Sequence, residues 1–370
     1  MTDGFETRIQ FIDGKMLTPL VRRVTNLDTA DIVDWENERV HGGTFGIVYR
    51  FSGRLRNEDK ILPWSLILKV VHNRPGAPIP RSDPSLAYQS GFLDEIPGGL
   101  AAPRCFDVVE QAEDEIWLWL EDVADAQDGP WSIDRCGLAA RHLGQFNGAF
   151  MAGQPMPTDA WLGKNLLRTE TDYAHSLTDH LATVKDHPIN SRLLPEDVVN
   201  DICRLWDERE LFIQAMEKLS PTICHRDTCR INLFHRLGPD GVEQTVAIDW
   251  EDVALGRVGE DIVPLVILGL GQFGIDLAKA DDYDATVFEQ YLAGLRDSGW
   301  RGTLESARFG YSAGIMRYAL ILPLVLIPKF KSEDLHSDPE LAETVDRWAG
   351  ALRFALDRID EARDLYPKIA

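Results

Sequence analysis

The hydrophobic pattern of the chain changes its period near residue 125, and this change constrains the fold more than any other feature. Before it, apolar residues alternate or run continuously in short segments rich in β-branched and aromatic side chains, as strands do. After it, apolar residues recur at the three-and-four spacing typical of helices. We therefore predict an α+β protein with a β-rich first lobe and a helix-rich second lobe. A length of 370 residues also suits two lobes better than a single core.

The first lobe, residues 41–125, is predicted to contain an antiparallel sheet. The segments "FGIVYRF" and "WSLILKVV" have the pattern of two strands, with the polar "SGRLRNEDKILP" as the tip of their hairpin. "RCFDVVEQ" and "IWLWLEDV" are two further predicted strands, and residues 84–95 between the pairs are predicted to be a helix. Residues 1–40 are predicted as an N-terminal extension with a short helix around "NLDTADIVDWENE".

The second lobe, residues 126–370, is predicted to start with the helix "IDRCGLAARHLGQFNGAF". The strand pattern returns once, at 221–250, where "NLFHR" and "TVAIDW" flank the turn "LGPDG" and predict an embedded hairpin. The apolar stretches "IVPLVILGLGQFGI" and "ALILPLVLIP" are too short or too interrupted to cross a bilayer, so we expect buried helices.

The charge balance excludes one broad class of function. The chain has 60 Asp and Glu residues against 38 Lys and Arg residues, a net charge of −22. Because nucleic-acid-binding surfaces are basic, this excess argues against nucleic acid as a partner. It permits a cationic small molecule, but a solvated acidic surface explains it equally well. The mixed, polar start "MTDGFETRIQ" and five scattered cysteines lead us to expect a cytoplasmic protein that does not bind membranes.

The stretch "ICHRDTCRINLFHR", residues 223–236, has two interpretations. Cys224 and Cys229 bracket His225 and Asp227, which resembles part of a metal-binding knuckle. The same residues form a His-Arg-Asp loop with Asn232 five positions after the acid, suited to orienting a hydroxyl group and binding a divalent cation. A structural zinc site commonly uses four ligands in two paired clusters, and the other three cysteines form no second pair. We therefore favour the loop.

Three further signals are weak when each is taken alone. The glycine-rich "HGGTFGIVYRF", with Gly42, Gly43 and Gly46, can hold phosphates on its main-chain N–H groups, but an ordinary hairpin turn explains it too. Lys69, within the apolar "SLILKVV", needs an anionic partner unless it lies on an edge strand and reaches solvent. Asp249 ends the apolar "VAID" and is either a magnesium ligand or a turn-capping residue.

These signals occur in one order along the chain: a glycine loop, a strand lysine, strands ending in "WLWLEDV", helices, the Asp-x4-Asn loop and a hairpin ending in Asp249. In this order, from about residue 40 to about residue 270, the chain resembles the aminoglycoside phosphotransferase and choline kinase family, whose fold is related to that of protein kinases. "CHRDTCRINLF" and "AIDWEDVALGRVGEDI" carry the most specific part of the resemblance. It implies a bilobal protein-kinase-like fold.

For the first lobe, the resemblance implies a nucleotide site. The loop with Gly42, Gly43 and Gly46 would cover the triphosphate, and Lys69 would contact the α- and β-phosphates. Main-chain groups of Leu120 and Asp122 would hydrogen-bond the adenine.

For the second lobe, the resemblance implies that Asp227 orients or deprotonates the substrate hydroxyl. Asn232 and Asp249 would hold Mg²⁺ against the nucleotide phosphates. Glu251 and Asp261 are interpreted as structural acids that brace the loop or cap the next helix.

Three departures from the family pattern stand out. Arg226 occupies a position where the family usually has glycine, and Thr228 and Cys229 occupy positions where it often has a histidine or another polar residue. The acid expected to pair with Lys69 is displaced. Asp83 is the closest candidate for that acid, and Glu95 is a second one.

We accordingly predict a small-molecule kinase that transfers the γ-phosphate of MgATP or MgGTP to a hydroxylated acceptor such as an aminoglycoside, an amino alcohol or a sugar. The displaced partner of Lys69 keeps a catalytically silent nucleotide- or ligand-binding protein as the alternative. A protein kinase is disfavoured, because only about 22 residues separate Asp227 from Asp249 and no Asp-Phe-Gly follows. Acids that could receive a cationic acceptor are Asp122, Asp125, Asp128, Asp252 and Glu260. Candidate lining residues of the acceptor pocket are Trp161, Tyr311, Arg317 and Tyr318, and core packing explains aromatic residues at helical spacing equally well.

Overall fold

The computed structural model describes residues 8–40, 47–72, 83–112, 115–126, 129–159, 161–176, 190–238, 241–330 and 339–369. The chain divides into two units. The sheet unit consists of residues 1–77, 85–94 and 102–124, and the helical unit consists of residues 78–84, 95–101 and 125–370.

The sheet unit is built on a five-stranded antiparallel sheet in the order β1-β2-β3-β6-β5. Its elements are helix α1 (Gly14–Thr25) and strands β1 (Asp31–Val40), β2 (Ile47–Asn57), β3 (Lys60–His72), β5 (Cys105–Ala112) and β6 (Glu115–Glu121). The short helix α2 (Pro84–Gln89) precedes β5 in the chain.

Strand β3 lies in the middle of this sheet and presents two different faces. Leu66, Leu68 and Val70 are fully buried in the core that also contains residues of α1. Because side chains alternate along a strand, Lys69 points to the opposite face, where its register partners are Val48 on β2 and Leu118 on β6. The lysine therefore does not lie on an edge strand, and only 9% of its surface is exposed.

The predicted strands of the first lobe are present, but some predicted boundaries were wrong. The polar "SGRLRNEDKILP" is mostly strand, because β2 and β3 pair as far as Asn57 and Lys60. The predicted helix at 84–95 ends at Gln89.

The helix predicted around "NLDTADIVDWENE" was wrong, because Asp31–Val40 is the edge strand β1, paired with β2. Its Ile32 and Trp35 pack on the sheet core, and such tertiary contacts outweigh local helix propensity. The helix of this region is α1, which Asp13 caps by accepting hydrogen bonds from the N–H groups of Lys15 and Met16.

The helical unit confirms the helices and the hairpin predicted after residue 125. Its longer helices are α3 (Ile133–Met151), α4 (Leu166–Tyr173), α6 (Glu196–Glu217), α7 (Val263–Gly271), α8 (Ala280–Asp297), α9 (Leu304–Gly314), α10 (Met316–Phe330) and α11 (Pro339–Leu365). The shorter elements are α5 (Asn190–Leu193) and strands β4 (Leu100–Ala101), β7 (Pro221–Cys224), β8 (Leu233–Leu237), β9 (Glu243–Ala247) and β10 (Ala254–Arg257).

Two small sheets in this unit fix the positions of two turns. Strand β7 pairs antiparallel with β10, so that Cys224 faces Ala254, and β8 pairs antiparallel with β9, so that Leu233 faces Ala247. The first turn (residues 225–232) connects β7 to β8, and the second turn (residues 248–253) connects β9 to β10. Since the flanking strands pair at these four residues, the two turns lie side by side.

Helices α9 and α10 follow one another almost without a break. Within the described part of the chain, Leu304–Ile327 is a stretch long and apolar enough to cross a membrane, and 78% of its most apolar window is buried inside the protein. Tyr311 in this stretch is fully buried and donates a hydrogen bond to Asp284. The prediction that Tyr311 lines a substrate pocket was therefore wrong, because its ring and hydroxyl belong to the helical core.

Candidate active site

Two hydrogen bonds connect the first turn to the second. The ring of His225 donates from Nε2 to the carbonyl oxygen of Ile248 at 2.9 Å, and the N–H of Ile248 donates to the carbonyl oxygen of Asn232, also at 2.9 Å. Ile248 immediately precedes Asp249, so these bonds fix the backbone of Asp249 relative to Asp227 and Asn232.

Within the first turn, Asn232 orients Asp227. The amide nitrogen Nδ2 of Asn232 donates to the carboxylate oxygen Oδ2 of Asp227 at 2.7 Å and to its carbonyl oxygen at 3.0 Å. Both hydrogens of this amide are thus used within the turn, which leaves the oxygen Oδ1 as the atom of Asn232 that can bind a cation. The N–H of Asp227 donates to Nδ1 of His225 at 3.2 Å, and its carboxylate is half-buried.

In the second turn, Asp249 has a left-handed backbone with φ 63° and ψ 66°. Non-glycine residues rarely adopt this conformation, and it places the half-buried carboxylate just beyond the end of β9. The next residue, Trp250, is buried, and its indole N–H donates to the carbonyl oxygen of Ala247 at 2.8 Å. Its ring lies edge-on to that of His225 with centroids 4.5 Å apart, so the two turns are also packed together.

Asp261, buried in the 3₁₀ turn before α7, braces the first turn. Its Oδ1 accepts the N–H of Arg226 at 2.8 Å, and its carbonyl oxygen accepts the hydroxyl of Thr228 at 2.5 Å. Its Oδ2 accepts the side-chain amide of Asn147 on α3 at 3.1 Å. The interpretation of Asp261 as a structural acid is confirmed.

The most unexpected feature is the side chain of Arg226, which is only 2% exposed. The backbone of Arg226 is left-handed with φ +70°. Glycine adopts this conformation most easily, which explains why the family pattern has glycine at this position. Its guanidinium bonds Glu260 at 2.7 Å and Glu170 on α4 at 2.5 Å. Burial alone would lower the pKa of Arg226, but the two carboxylates outweigh it and raise the pKa, so the group stays charged.

Glu170 and Arg317 complete this buried cluster, and sequence reasoning missed the role of both. Arg317, at the start of α10, lies 3.3 Å from Glu170 and donates to the carbonyl oxygen of Arg226 at 3.1 Å. The sequence signal that could have identified Glu170 is its spacing in α4. It lies on the same face as Leu166, Leu167 and Thr171, and all four residues are buried. An acid on the apolar face of a helix indicates a buried cationic partner.

The two cysteines of the first turn are buried thiols. Burial raises the pKa of Cys224, and burial together with the Asp227 carboxylate raises the pKa of Cys229. The Sγ of Cys224 lies 3.8 Å from the carbonyl oxygen of Arg257, to which it donates.

The described residues include no group of three or more His, Cys, Asp or Glu side chains that could hold a metal ion. Asn232 and Asp249 instead offer oxygen atoms on adjacent turns. This donor set fits Mg²⁺, which is commonly bound by one or two carboxylates together with substrate phosphates and water.

Two of the residues predicted to bind the nucleotide lie on neighbouring strands of the sheet unit. Lys69 is on β3, and Leu120, on β6, faces Ile67 of β3. Asp122 follows β6, and its carboxylate accepts two hydrogen bonds from Arg50, at 2.9 and 3.2 Å. Gly42, Gly43 and Gly46 lie outside the described residues. The pairing of Lys69 with Asp83 or Glu95 stays a prediction.

Three of the acids considered for a cationic acceptor are already paired with arginine. Asp122 pairs with Arg50, Asp125 with Arg230 at 2.8 Å, and Glu260 with Arg226. Asp128 lies outside the described residues.

Comparison with known proteins identifies a family. Residues 64–305 match the model of the phosphotransferase enzyme family. A search of curated protein sequences gave no match.

Among solved structures, the chain is similar to an amicoumacin kinase at 13% identity, with 97% of this chain and 96% of the other covered and a TM-score of 0.51. A spectinomycin phosphotransferase is also 13% identical, with 94% and 99% covered and a TM-score of 0.52. A choline kinase from Cryptosporidium parvum is 12% identical, with 89% and 90% covered and a TM-score of 0.53. The predicted α+β kinase-like fold and the resemblance on which it rested are confirmed.

Proposed function

The chain belongs to the phosphotransferase enzyme family, and we propose that it transfers the γ-phosphate of ATP or GTP to a hydroxyl group of a small acceptor in a reaction that requires Mg²⁺. The observation that carries this proposal is the pairing of the two turns. One side-chain network aligns Asp227 and Asn232, and two hydrogen bonds attach the backbone beside Asp249 to the same network.

In the proposed reaction, Asp227 accepts a hydrogen bond from the acceptor hydroxyl. This bond orients the hydroxyl oxygen towards the γ-phosphorus. Because Asn232 holds Oδ2 of this carboxylate, the other oxygen, Oδ1, is the one suited to the acceptor. Asn232 Oδ1 and the Asp249 carboxylate would hold Mg²⁺, which would neutralise charge on the nucleotide phosphates. Phosphoryl transfer of this kind depends mainly on positioning and electrostatic stabilisation.

We assign the nucleotide side of the reaction to the sheet unit. Lys69 lies on the central strand, on the face away from the core, and its charge suits the α- and β-phosphates. The loop with Gly42, Gly43 and Gly46 is proposed to cover the triphosphate. Main-chain groups of Leu120 and Asp122 are proposed to hold the adenine. Of the intervening residue, Glu121, the N–H already donates to the carbonyl oxygen of Arg104 at 2.9 Å.

The known ligands of similar proteins support the class of substrate. The amicoumacin kinase structure is a complex with AMP-PNP, Ca²⁺ and a ligand abbreviated Ami, and the spectinomycin phosphotransferase structure contains ADP and spectinomycin. We infer a hydroxylated small molecule, such as an aminoglycoside, an amino alcohol, a sugar or a related natural product, as the acceptor. Arginines neutralise Asp122, Asp125 and Glu260, so these three acids give no reason to expect a positively charged acceptor.

Thermal unfolding with nucleotide and Mg²⁺ tests this proposal. A ligand that binds only the folded protein raises the melting temperature, so we expect a shift with ATP or GTP that depends on Mg²⁺. The shift should disappear in Asp249→Ala and persist in the matched control Asp364→Ala, which removes an exposed carboxylate on α11. Turnover with a panel of hydroxylated acceptors should fall about 10³-fold in Asp249→Ala, as when a group that stabilises transition-state charge is removed.

The outcomes separate the two functions considered for this chain. A magnesium-dependent shift followed by turnover supports the kinase. A shift without turnover across the panel supports a silent nucleotide-binding protein. Full turnover in Asp249→Ala would refute the role proposed for that residue.

A further inference from the structure

The two peptide groups on either side of the Arg226 Cα are each held by a charged side chain. The N–H of Arg226 donates to Oδ1 of Asp261 at 2.8 Å, and its carbonyl oxygen accepts from Nη2 of Arg317 at 3.1 Å. The carbonyl belongs to the peptide bond that leads into Asp227. The orientation of this peptide plane sets the direction in which the next residue leaves the backbone, so the contact from Arg317 acts on Asp227 although it does not touch the Asp227 carboxylate. The contact from Asp261 fixes the preceding peptide plane.

The side chain of Arg226 is held as firmly as its backbone. Its guanidinium lies between Glu260 and Glu170, at 2.7 and 2.5 Å, and Arg317 is 3.3 Å from the same oxygen of Glu170. These four side chains, which we call the loop cluster, are all at most 14% exposed. They come from α4, from the first turn, from the 3₁₀ turn before α7 and from α10, so the cluster fastens one residue of the first turn to three other elements.

Stability alone is a poor explanation for such a cluster. Buried ion pairs can often be replaced by well-packed apolar side chains without loss of stability, because the charges must be removed from water. The loop cluster additionally holds a left-handed, non-glycine residue next to Asp227, and backbone strain of this kind persists only where the surrounding structure fixes it.

We propose that Glu170 and Arg317 are positioning residues for Asp227, which hold the Arg226 peptide so that the Asp227 carboxylate meets the acceptor hydroxyl. This inference rests on the proposed function and adds two residues to it. The cluster also contacts Tyr318, which is half-buried. Arg317 donates to the hydroxyl of Tyr318 at 3.1 Å and lies 4.8 Å from the centre of its ring.

The helical core contains a second buried arginine that serves as a matched control. Arg308 on α9 bonds Asp284 and Glu361, both at 2.7 Å, and its side chain is 11% exposed, compared with 14% for Arg317. It also lies 4.9 Å from the centre of a tyrosine ring, that of Tyr311. The chemistry is the same, but the two carboxylates that bind Arg308 lie on α8 and α11 and not in the first turn.

The experiment compares Arg317→Met with Arg308→Met in the full-length protein. For each variant we would measure the melting temperature, the dissociation constant for ATP or GTP with Mg²⁺, and the turnover of that nucleotide with water and with any acceptor found in the panel. We expect both variants to melt several degrees lower. Arg317→Met should lower kcat 10- to 100-fold with less than a threefold change in nucleotide KM, whereas Arg308→Met should keep kcat within threefold of wild type.

A conservative substitution separates positioning from stability. Lysine at position 317 keeps the charge but cannot bond Glu170, the Arg226 carbonyl and the Tyr318 hydroxyl together, because it lacks the planar fork of arginine. Arg317→Lys should therefore recover more of the melting temperature than of kcat. If Arg317→Met does not fold, Arg317→Lys and Glu170→Gln are judged by the same kcat criterion.

The results distinguish this inference from the function on which it rests. The positioning role would be overturned if Arg317→Met kept the wild-type kcat, or if Arg317→Met and Arg308→Met lost kcat equally. Either result would leave the proposed kinase activity intact. A wild-type protein that turns over neither nucleotide with any acceptor would overturn both.

Discussion

The first turn (225–232) and the second turn (248–253) both contain a left-handed residue that is not glycine, but they use it differently. In the first turn this residue is Arg226, one position before Asp227, and its side chain is buried among carboxylates. In the second turn it is Asp249 itself, the predicted metal ligand, whose side chain is half-buried.

The two turns thus differ in which interactions stabilise an unfavourable backbone conformation. A left-handed non-glycine residue costs on the order of 1 kcal/mol or more, and the surrounding structure has to offset that cost. At Arg226, interactions of its own side chain offset it. At Asp249, neighbouring residues contribute to the offset, through the two hydrogen bonds that Ile248 makes with His225 and Asn232 and through the packing of Trp250. We therefore expect glycine to cost stability in place of Arg226, and to be tolerated better than alanine in place of Asp249.

The largest expected effect is that of Arg226→Gly on stability. Glycine removes the backbone strain, worth about 1 kcal/mol, but it leaves Glu260 buried without its cation. Breaking a buried ion pair by removing one partner costs about 3 to 5 kcal/mol, so we expect a net loss of about 3 kcal/mol in the free energy of unfolding, measured with urea.

A double variant identifies the cause of that loss. In the Arg226→Gly background, Glu260→Gln should recover part of the stability, because it removes the isolated charge. An Arg226→Gly protein at least as stable as wild type would show that the side chain of Arg226 does not offset its backbone strain, and the contrast between the turns would be lost.

Acid should weaken the hairpin that joins the turns, because of His142 on α3. Its Nδ1 lies 3.0 Å from the hydroxyl of Thr245 on β9, and burial, assisted by Arg135, Arg141 and His235, lowers the pKa of His142 to about 4. In the unfolded chain the pKa is about 6.5. The stability contributed by neutral His142 is therefore complete above about pH 6.5 and is lost as the pH falls towards 4.

The size of this effect follows from the two pKa values. Between pH 7 and pH 4.5, wild type should lose about 2 to 3 kcal/mol more than His142→Asn, measured by urea unfolding at several pH values. His175→Asn, which removes an exposed histidine, should behave like wild type. Parallel pH curves for wild type and His142→Asn would contradict the prediction.

The bond between the turns can be removed without removing the bond inside the first turn. His225 accepts the N–H of Asp227 at Nδ1 and donates to the Ile248 carbonyl from Nε2. Asparagine can replace the first contact but is too short for the second, and glutamine can reach the second. The Ile248 carbonyl is partly buried, and loss of its hydrogen bond costs about 1 kcal/mol or somewhat more.

We therefore expect His225→Asn to weaken magnesium-dependent binding of ATP or GTP about tenfold, and His225→Gln to weaken it less. Isothermal titration calorimetry with and without Mg²⁺ measures this directly. Equal affinities in the two variants would mean that the His225–Ile248 bond does not position Asp249.

The residues that sequence alone could identify are those whose chemistry is visible in local pattern. Asp227, Asn232 and Asp249 stand at strand ends with family spacing, and Lys69 interrupts an apolar strand, so each could be found without a structure. The hairpin and most strands followed from alternation in the same way. Their roles in a reaction stay predictions.

Sequence could not show which distant residues support these positions. Glu170 lies 56 residues before Arg226, and Arg317 lies 91 residues after it. Their contacts depend on how α4 and α10 pack, which no local pattern specifies. The edge strand β1 was missed for a similar reason, because its pairing with β2 and its core contacts outweigh its local composition.

The smallest expected effect compares two substitutions at Asp249 and tests the second turn as Arg226→Gly tests the first. Asp249→Ala and Asp249→Gly both remove the carboxylate, so both should lose magnesium-dependent nucleotide binding. Only glycine relieves the left-handed backbone with φ 63°, so Asp249→Gly should be about 1 kcal/mol more stable than Asp249→Ala. Urea unfolding without nucleotide gives this difference free of any contribution from binding. A glycine variant less stable than the alanine variant would show that neighbours do not hold this turn against strain.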